Sequence, residues 1–341
     1  MVKNKPTLHD VAKVADVSIA TVSNVLNNKS TELGKKTRQR VLDAIDKLHY
    51  EPNQFARSLK TGQSNLIVFI VPDQNPFFTE ILTELNNECQ KHQLHVAVVS
   101  SEENELKQQA LIETFIAQNV SAIILVPVKS KLKLKKEWKQ TPILTIDRKI
   151  DGADSPSISV DNKKAAFNAT QRIIDSTCKN IGLLLANPDI STTSERKLGY
   201  EQALKKNNIK LDEQIIYYSN QQLGTDAQID SGYHATKSLI NKHVQAIVAT
   251  NHLLLLGALQ AIKESGKKIS KDVIIIGFDD SYWNEIYTPK LSVISQPTKE
   301  IGRVAGEMIN HLIQGENVSS VELDTKLIIR ESCSFAEDKT L

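Results

Sequence analysis

The feature that most constrains the fold is the stretch of residues 7–26, TLHDVAKVADVSIATVSNVL. Apolar residues recur in it at helical spacing on both sides of a short break at residues 15–17. Ser18, directly after the break, is a residue type that caps helix starts. The pattern predicts a helix-turn-helix. Its inward faces are Leu8, Val11, Ala12 and Val14 on the first helix, and Val22, Val25 and Leu26 on the second.

A third amphipathic segment at residues 35–48 can close a three-helix core. Its inward residues at helical spacing are Val41, Leu42, Ile45 and Leu48. On the second helix, Ile19, Ala20 and Asn24 then face outward. Outward residues at the front of the second helix of such a motif are the ones that reach base edges in the major groove of DNA.

The positive charge of the chain is concentrated in this first part. Residues 1–62 contain eleven lysines and arginines against six acidic residues, a net charge of +5, whereas the whole chain carries +2. The remainder is therefore slightly acidic. A basic segment attached to a slightly acidic protein favours binding to nucleic acid.

A short linker follows at residues 51–62, EPNQFARSLKTG. Pro52 suits the start of a helix, and Gly62 suits its end. A helix of one to two turns is not stable alone in water, because helix nucleation is costly. We therefore expect this linker to form a helix only when two copies of it pack together on DNA.

From residue 64 onward, short β-branched runs alternate with helical stretches. Continuous apolar strands separated by helices indicate parallel sheets that are covered on both faces. The runs are numerous for one sheet and the pattern restarts near residue 180, so we expect two similar lobes. The runs lie at residues 66–71, 95–100, 122–127, 142–147, 180–186, 246–250 and 273–278.

Ligands of open parallel sheets bind outside the carboxyl ends of the strands, so the residues after each run form the candidate site. Carboxylates and guanidinium groups there can bind vicinal hydroxyls in pairs, and aromatic faces can cover the C–H side of a sugar ring. The inventory predicts a site for a carbohydrate. Its members are Asn75, Phe77, Phe78, Asp147, Arg148, Arg196, Asn251, Asp279, Trp283 and Gln296.

Taken together, these motifs resemble the lactose-repressor (LacI/GalR) family of bacterial transcription regulators. The resemblance runs from Thr7 to about Arg330. Besides the first 26 residues and the linker, it rests on the order and spacing of several short motifs. They are NPFF at 75–78, TIDR at 145–148, SERKLGY at 194–200, ATN at 249–251, IIIGFDD at 274–280 and SVISQP at 292–297.

The resemblance implies an α-helical headpiece (residues 1–50) and a hinge helix (51–62). A two-lobed α/β domain with parallel sheets, similar to periplasmic binding proteins, then fills residues 63–341. The chain would cross between the lobes near Val160, Ser292 and Ser320. The first lobe would then hold residues 63–160 and 292–320, and the second lobe 161–291 and 321–341.

The resemblance also implies the DNA contacts. Leu59 would insert from the minor groove as an apolar wedge that kinks the duplex, and Ala56 would pack across the dyad. Arg57 and Lys60 would face the DNA. The other DNA-binding positions that it implies are Thr7, Ser18, Ile19, Ala20, Thr21, Ser23, Asn24, Asn27 and Asn53.

Five of the candidate cleft residues match positions that contact the effector in the family: Asp147, Arg196, Asn251, Asp279 and Gln296. The NPFF and TIDR motifs are most similar to the ribose-repressor branch, in which the paired phenylalanines, here Phe77 and Phe78, sandwich a small ring. The sequence departs from the family at three positions. Phe55 is larger than the aliphatic residue that is common there. Asn24 stands where arginine is frequent, and His252 stands where many members have aspartate.

Other functional classes find less support. No Gly-rich phosphate loop, metal-ligand cluster or nucleophile beside a base is present, so we expect no enzyme, cofactor or metal site. Cys89, Cys178 and Cys333 are scattered, which favours buried free thiols. No apolar run is long enough for a membrane span or a signal peptide, so we expect a cytoplasmic, nucleoid-associated protein.

The sequence thus predicts a homodimeric repressor of a sugar-utilisation operon, with a ribose-like sugar releasing it from a near-palindromic operator. The alternatives are a regulator that is co-repressed by a purine or phosphosugar or assisted by a protein partner and, more distantly, a sugar-binding transport protein. No leucine heptads occur in residues 331–341, which argues against a tetramer.

Overall fold

The computed structural model describes residues 6–26, 34–50, 64–219 and 224–333. It divides into two compact units, Met1–Ser64 and Asn65–Leu341. The predicted linker helix lies outside the described residues. So do six of the predicted DNA contacts: Asn27, Asn53, Ala56, Arg57, Leu59 and Lys60.

The described part of the first unit contains the helices α1 (Leu8–Ala15), α2 (Ile19–Leu26) and α3 (Lys35–Leu48). Thr7 and Asp10 form a capping box at the start of α1, and Asp16 ends the helix in the left-handed conformation. Ser18 caps α2, because its Oγ accepts a hydrogen bond from the Thr21 N–H at 3.1 Å. The helices enclose one apolar core of Val11, Ala12, Ala15, Val22, Val25, Val41, Ala44 and Tyr50.

Two predicted core residues of this unit are on its surface. Val14 is 45% exposed and Leu42 is 40% exposed. Ala15, predicted in the break, and Ala44 are buried instead. Small side chains fill these positions because the helices pack closely, and the apolar pattern alone did not distinguish the two faces.

The second unit contains two six-stranded sheets. The first sheet has the order β11-β5-β4-β3-β1-β2, and the second has the order β12-β10-β9-β8-β6-β7. The strands are β1 (Leu66–Val71), β2 (His95–Ser100), β3 (Ala122–Leu125), β4 (Ile143–Ile146), β5 (Ser157–Val160), β6 (Ile181–Leu185), β7 (Ile216–Tyr218), β8 (Ala246–Ala249), β9 (Ile274–Phe278), β10 (Ser292–Ser295), β11 (Val321–Leu323) and β12 (Lys326–Ile328).

The two sheets have the same order of central strands, so β4 and β9 occupy equivalent places. Every pairing is parallel except that of β10 with β12, which is antiparallel. Helices cover the faces, as parallel sheets require. They are α4 (Pro76–Lys91), α5 (Glu105–Ala117), α6 (Asn162–Asp175), α7 (Ser191–Lys206), α8 (Thr225–Asn241), α9 (His252–Glu264), α10 (Tyr282–Ile286) and α11 (Thr298–Ile313).

The predicted lobe crossings need adjustment at two of the three places. After Val160, the last residue of β5, the chain enters the second lobe as predicted, because α6 packs beside α7. However, β10 at residues 292–295 belongs to the second sheet, so the return to the first lobe follows Ser295. Likewise β11 belongs to the first sheet, and the last crossing follows Leu323.

Close contact between backbones joins helices in the second lobe. A Cβ atom on Gly257 of α9 would lie 2.0 Å from the carbonyl oxygen of Ile229 in α8. Only glycine fits such an approach.

All three cysteines, Cys89, Cys178 and Cys333, are buried free thiols, as the sequence predicted.

Candidate functional site

One face of α2 is accessible and carries the residues that the sequence assigned to base contacts. Ile19 is 45% exposed, and Ala20 and Asn24 are exposed as well. The Ser18 and Thr21 hydroxyls lie 2.9 Å apart, so both contribute to the helix start. Thr7 likewise uses its side chain in the capping box, with its Oγ1 2.7 Å from Asp10 Oδ2.

In the second unit, the predicted cleft residues converge between the two lobes. Asp147 follows β4 and Asp279 follows β9, the equivalent strand of the other sheet. Both have left-handed backbones, with φ of 66° and 71°. This conformation turns the chain sharply at the strand end and is uncommon outside glycine. The repeated fold thus contributes one carboxylate from each lobe.

All the predicted cleft residues except Trp283 line a single cavity. The space in it that the centre of a water molecule can occupy is about 30 Å³, which is room for about two waters. The lobes are therefore closed, and a sugar ring could not enter unless they separated. The cavity is lined by Asp73, Asn75, Phe77, Phe78, Asp147, Arg148, Ala186, Thr192, Thr193, Arg196, Thr250, Asn251, Asp279 and Gln296.

Arg196, on the first turns of α7, is the best-held cation of the cavity. Its Nε donates to Asn162 Oδ1 at 2.8 Å, its Nη1 donates to the Thr250 carbonyl, and its guanidinium lies 4.1 Å above the Phe278 ring. Burial lowers the pKa of Arg196, whereas the charges of Asp147 and Asp279 oppose that shift. Such a guanidinium is fixed before any ligand arrives.

Arg148 forms an ion pair with Glu103, a residue of the same lobe. Its Nη1 and Nη2 donate to the two carboxylate oxygens of Glu103 at 3.0 and 2.8 Å. Burial would lower the pKa of Arg148, but the charge and hydrogen bonds of Glu103 outweigh burial and raise it. The Arg148 Nε is buried without a hydrogen-bond partner among the described residues, 3.7 Å from Asp147 Oδ2. Glu103 therefore neutralises much of its charge.

The carboxylates retain acceptor capacity. Asp279 Oδ1 accepts a hydrogen bond from Gln296 Nε2 at 2.7 Å. Burial raises the pKa of Asp147, although Arg196 and Arg148 oppose the shift. Thr193, which is 2% exposed, has a buried Oγ1 with no hydrogen-bond partner within the described parts of the chain. A buried hydroxyl normally has a partner, so a ligand hydroxyl would satisfy this one.

The paired phenylalanines do line the cavity, but they cannot sandwich a ring. The Phe77 and Phe78 centroids are 5.2 Å apart at an interplanar angle of 67°, so the rings pack edge to face. Phe78 also packs on Phe69 in the core. In this arrangement the pair forms an apolar wall, and the sandwich implied by the family resemblance is wrong for the closed form.

Trp283 is the one predicted cleft residue that lies elsewhere. It is on α10, is 54% exposed and stacks on Tyr282 at 5.1 Å. It follows β9 closely in the sequence. The rule that cleft residues lie directly after the strands, here called the strand-end rule, therefore selected it. The chain turns outward after Asp280, however, and carries the indole to the surface.

Several cavity residues were missed by the sequence reasoning. Asp73 follows β1, so the strand-end rule could have found it. Thr192 and Thr193 open α7 after β6, and the same rule applies to them. Gln228 and Asn162 lie on helices and accept hydrogen bonds from the cavity residues Asn251 and Arg196. No sequence pattern around them indicates this role. Burial and the charge of Glu103 raise the pKa of Asp73 to about 6.

The site holds acceptors, a fixed guanidinium and an apolar wall, which suits a polyhydroxylated ligand. Among the residues described, no group of His, Cys, Asp or Glu side chains could hold a metal ion. No described helix is both long and apolar enough to cross a membrane.

Comparison with known proteins agrees with this arrangement. Residues 7–53 match the model for bacterial regulatory proteins of the lacI family, and residues 67–317 match the periplasmic binding protein domain. The chain is 32% identical over 337 residues to the HTH-type transcriptional regulator RegA of Clostridium acetobutylicum, covering 96% of this chain and 99% of RegA. It is 27% identical over 339 residues to the ribose operon repressor of Halalkalibacterium halodurans, covering 97% and 98%.

Two solved structures show the same fold. A transcription regulator from Staphylococcus saprophyticus subsp. saprophyticus is 68% identical with a TM-score of 0.79, covering 80% of this chain and 99% of that one. The lac repressor dimer bound to operator and the anti-inducer ONPF is 25% identical with a TM-score of 0.79, covering 97% and 100%. The chain therefore belongs to the lacI family of bacterial regulatory proteins and is a non-enzymatic, DNA-binding transcriptional regulator.

Proposed function

We propose that this regulator represses a sugar-utilisation operon and is released from its operator by a small neutral sugar bound between the lobes. The observation that carries the proposal is the placement of Asp147 and Asp279 on opposite lobes of one cavity, where the charges of both act on the fixed guanidinium of Arg196. A sugar presents several adjacent hydroxyls that both donate and accept. Two carboxylates and one guanidinium can bind such a set from both lobes at once.

The charge of the cavity argues against a phosphorylated effector. Asp73, Asp147 and Asp279 line it, and Arg148 is neutralised by Glu103, so Arg196 is the main cation that remains. Like charges a few ångströms apart in a buried site repel strongly. A phosphosugar would add negative charge to an already acidic cavity, which supports a neutral sugar.

Relatives support a ribose-like ligand. One relative is a ribose operon repressor, and another similar structure is the transcriptional regulator CelR in complex with cellobiose. The cavity is small and one wall is formed by Phe77 and Phe78. An apolar wall of this kind can cover the C–H face of a sugar ring.

The headpiece reads the operator through α2. Its described residues Ile19, Ala20 and Asn24 are accessible. Thr7, Ser18 and Thr21 lie around the helix starts and Ser23 lies further along α2, and these four would contact DNA at its backbone. An asparagine amide matches adenine, so Asn24 should favour an A·T pair where an arginine would favour guanine. The exposed Lys35, Lys36 and Arg40 of α3 add phosphate contacts.

We propose that the protein acts as a homodimer on a near-palindromic operator. The related lac repressor structure is a dimer on operator DNA. Three large apolar side chains of α10, Tyr282, Trp283 and Ile286, are 72%, 54% and 67% exposed. Exposed apolar clusters of this kind mark contacts between proteins, so we assign them to the second copy. Such a regulator works in the cytoplasm, and association with the nucleoid would follow from DNA binding.

In this proposal the chain has a headpiece (residues 1–50), a hinge (51–62) and a two-lobed domain (63–341). A ligand between the lobes stabilises one lobe arrangement, and the hinge helices of the two copies would then separate. Such coupling is typically about 1–3 kcal/mol. A ligand acts only through its different affinities for the two states.

The test measures operator binding by fluorescence anisotropy at fixed salt, on a selected palindromic DNA. The added compounds are D-ribose, ribose 5-phosphate, hexoses, sucrose and purines. Release by a neutral sugar supports the proposal. Tighter binding with a purine or a phosphosugar would establish a co-repressed regulator instead, and no response to any compound would contradict a sugar effector.

A further inference from the structure

A chain of four hydrogen bonds runs beside the cavity from one lobe to the other. The Asn75 N–H donates to Asp73 Oδ1 at 3.0 Å, and Gln228 Nε2 donates to Asp73 Oδ2 at 3.0 Å. The chain continues as Asn251 Nδ2 donates to Gln228 Oε1 at 2.8 Å. It ends where the Leu254 N–H donates to Asn251 Oδ1 at 2.8 Å.

This chain joins the two lobes. Asp73 follows β1 in the first lobe, whereas Gln228 lies on α8 and Asn251 caps α9 in the second. Asp73 is 5% exposed and Gln228 is 6% exposed, so water competes little for their bond. Asp73 and Asn251 both line the cavity, so a ligand bound there would lie beside the chain in both lobes.

The chain has a polarity that restricts its chemistry. Both ends are backbone N–H groups, which only donate. A side-chain amide donates on one side and accepts on the other, so Gln228 and Asn251 pass the direction along without reversing it. One member must therefore accept from both sides. An ionised carboxylate does this, and Asp73 is the carboxylate of the chain.

We propose that Asp73 and Gln228 are positioning residues that latch the lobes in the closed form, and that the latch is complete only when the chain contains one ionised carboxylate. The inference rests on the proposed function, because closure matters only if the cleft is the switch. Other contacts also join the lobes, including Lys149 Nζ to Glu195 Oε1 at 3.2 Å. The latch is distinct because it runs through the cavity wall.

The polarity predicts a reciprocal exchange. Asp73→Asn leaves no member of the hydrogen-bond chain that accepts from both sides. One hydrogen bond is therefore lost, whichever way the side-chain amides are oriented. Gln228→Glu places two carboxylates against each other, which is repulsive. The double variant moves the carboxylate to position 228, where it accepts from residue 73 and from Asn251. All four bonds can then form again.

The test measures amide hydrogen exchange of the ligand-free full-length protein at pH 7.5, in residues 71–78 and 224–256. Exchange of buried amides reports how often the structure opens. Loss of one buried hydrogen bond should speed exchange by about tenfold in each single variant. The double variant should return to within about twofold of the wild type. Asp230→Asn, an exposed carboxylate on the same helix, is the matched control and should change nothing.

The proposal fails if the single variants exchange like the wild type, or if the double variant opens as much as both single changes combined. If Asp73→Asn does not fold, Gln228→Glu and the double variant still decide between rescue and no rescue. Rescue by exchange of the two groups would show that residues 73 and 228 act through the bond between them.

The same variants are then titrated with D-ribose and operator DNA, which separates the two proposals. Rescue without any sugar response keeps the latch and contradicts the sugar effector. Sugar response without rescue keeps the effector and overturns the latch.

Discussion

The side chain of Asp279 lines the cavity. One of its oxygens accepts from Gln296, and it lies in a left-handed turn at the edge of the cavity. The Asn side chain has almost the same shape and can keep the Gln296 contact. What it loses is a charged acceptor for a ligand hydroxyl.

We therefore expect Asp279→Asn to weaken the effector that releases the operator by about 10- to 100-fold, since a hydrogen bond to a charged group contributes about 1.5–3 kcal/mol. Operator affinity without effector should stay the same. Anisotropy titrations measure both quantities, with Asp154→Asn as an exposed control. An unchanged effector concentration at half release would remove Asp279 from the site.

At pH 7.5 the buried charge of Asp73 lowers the free energy of unfolding. Its pKa in the folded protein is about 6, above the ordinary value of 3.8. At pH 7.5 the buried carboxylate is charged, and burial makes that charge unfavourable. As the pH falls through 6, the folded protein takes up a proton before the unfolded chain does, so the folded state gains stability.

We expect the free energy of unfolding of the wild type, relative to that of Asp73→Asn, to rise by about 2 kcal/mol between pH 7.5 and pH 4.5. The difference between the two proteins removes the contribution of the other titrating groups. Denaturant titrations at both pH values measure it. A difference that does not change with pH would show that Asp73 has an ordinary pKa.

At the scale of elements, the sequence predicted the headpiece helices from their helical periodicity and the central strands from their continuous apolar runs. It did not predict β5, β7, β10, β11 or β12 as strands. These five have three or four residues each, and they lie outside the long apolar runs that contain the equally short β3, β4 and β8. Most site residues followed from the strand ends, whereas Gln228 lies in the first turn of α8, which does not follow any predicted strand.

The start of α2 depends on the Ser18 hydroxyl. Ser18→Ala should lower the stability of the headpiece by about 1 kcal/mol, because it leaves the Thr21 N–H without its acceptor. Ser18→Asn keeps an acceptor and should be close to neutral. Thermal unfolding followed by circular dichroism measures both. Equal loss in the two variants would mean that the hydroxyl acts in another way.

The contact between α8 and α9 depends on Gly257. Gly257→Ala should lower the free energy of unfolding by about 1–3 kcal/mol, although alanine favours helix, because a methyl group would overlap the Ile229 carbonyl. Lys263→Ala, on the exposed side of α9, should have little effect. Denaturant titration decides, and a stabilised Gly257→Ala protein would contradict the close approach.

At the scale of the whole molecule, the duplicated strand order is what assembles the cleft. The sequence indicated two similar lobes, but it did not show that Asp147 and Asp279 occupy equivalent places. That equivalence depends on strand order, which is set by crossovers between distant segments. The lobe crossings depend on the same pairing of distant segments, so the sequence placed two of them a few residues too early.

The assignment of α10 to the dimer contact can be tested. Ile286→Asp should separate the copies and weaken operator binding by about 10²- to 10⁴-fold, since two headpieces no longer bind together. Leu198→Asp, on α7 and 49% exposed, introduces the same charge elsewhere and should leave the dimer intact. Sedimentation velocity and anisotropy measure the two effects. A dimeric Ile286→Asp protein would place the contact on another surface.

The narrow cavity also sets a time scale. A ligand held between the lobes cannot leave while they remain closed, because the lobes themselves form the walls of the cavity. Its residence time is therefore bounded below by the interval between spontaneous openings of the cleft. A regulator built in this way would average over brief fluctuations in sugar concentration. The genes that it controls would respond only to changes that last longer than the interval between openings of the cleft.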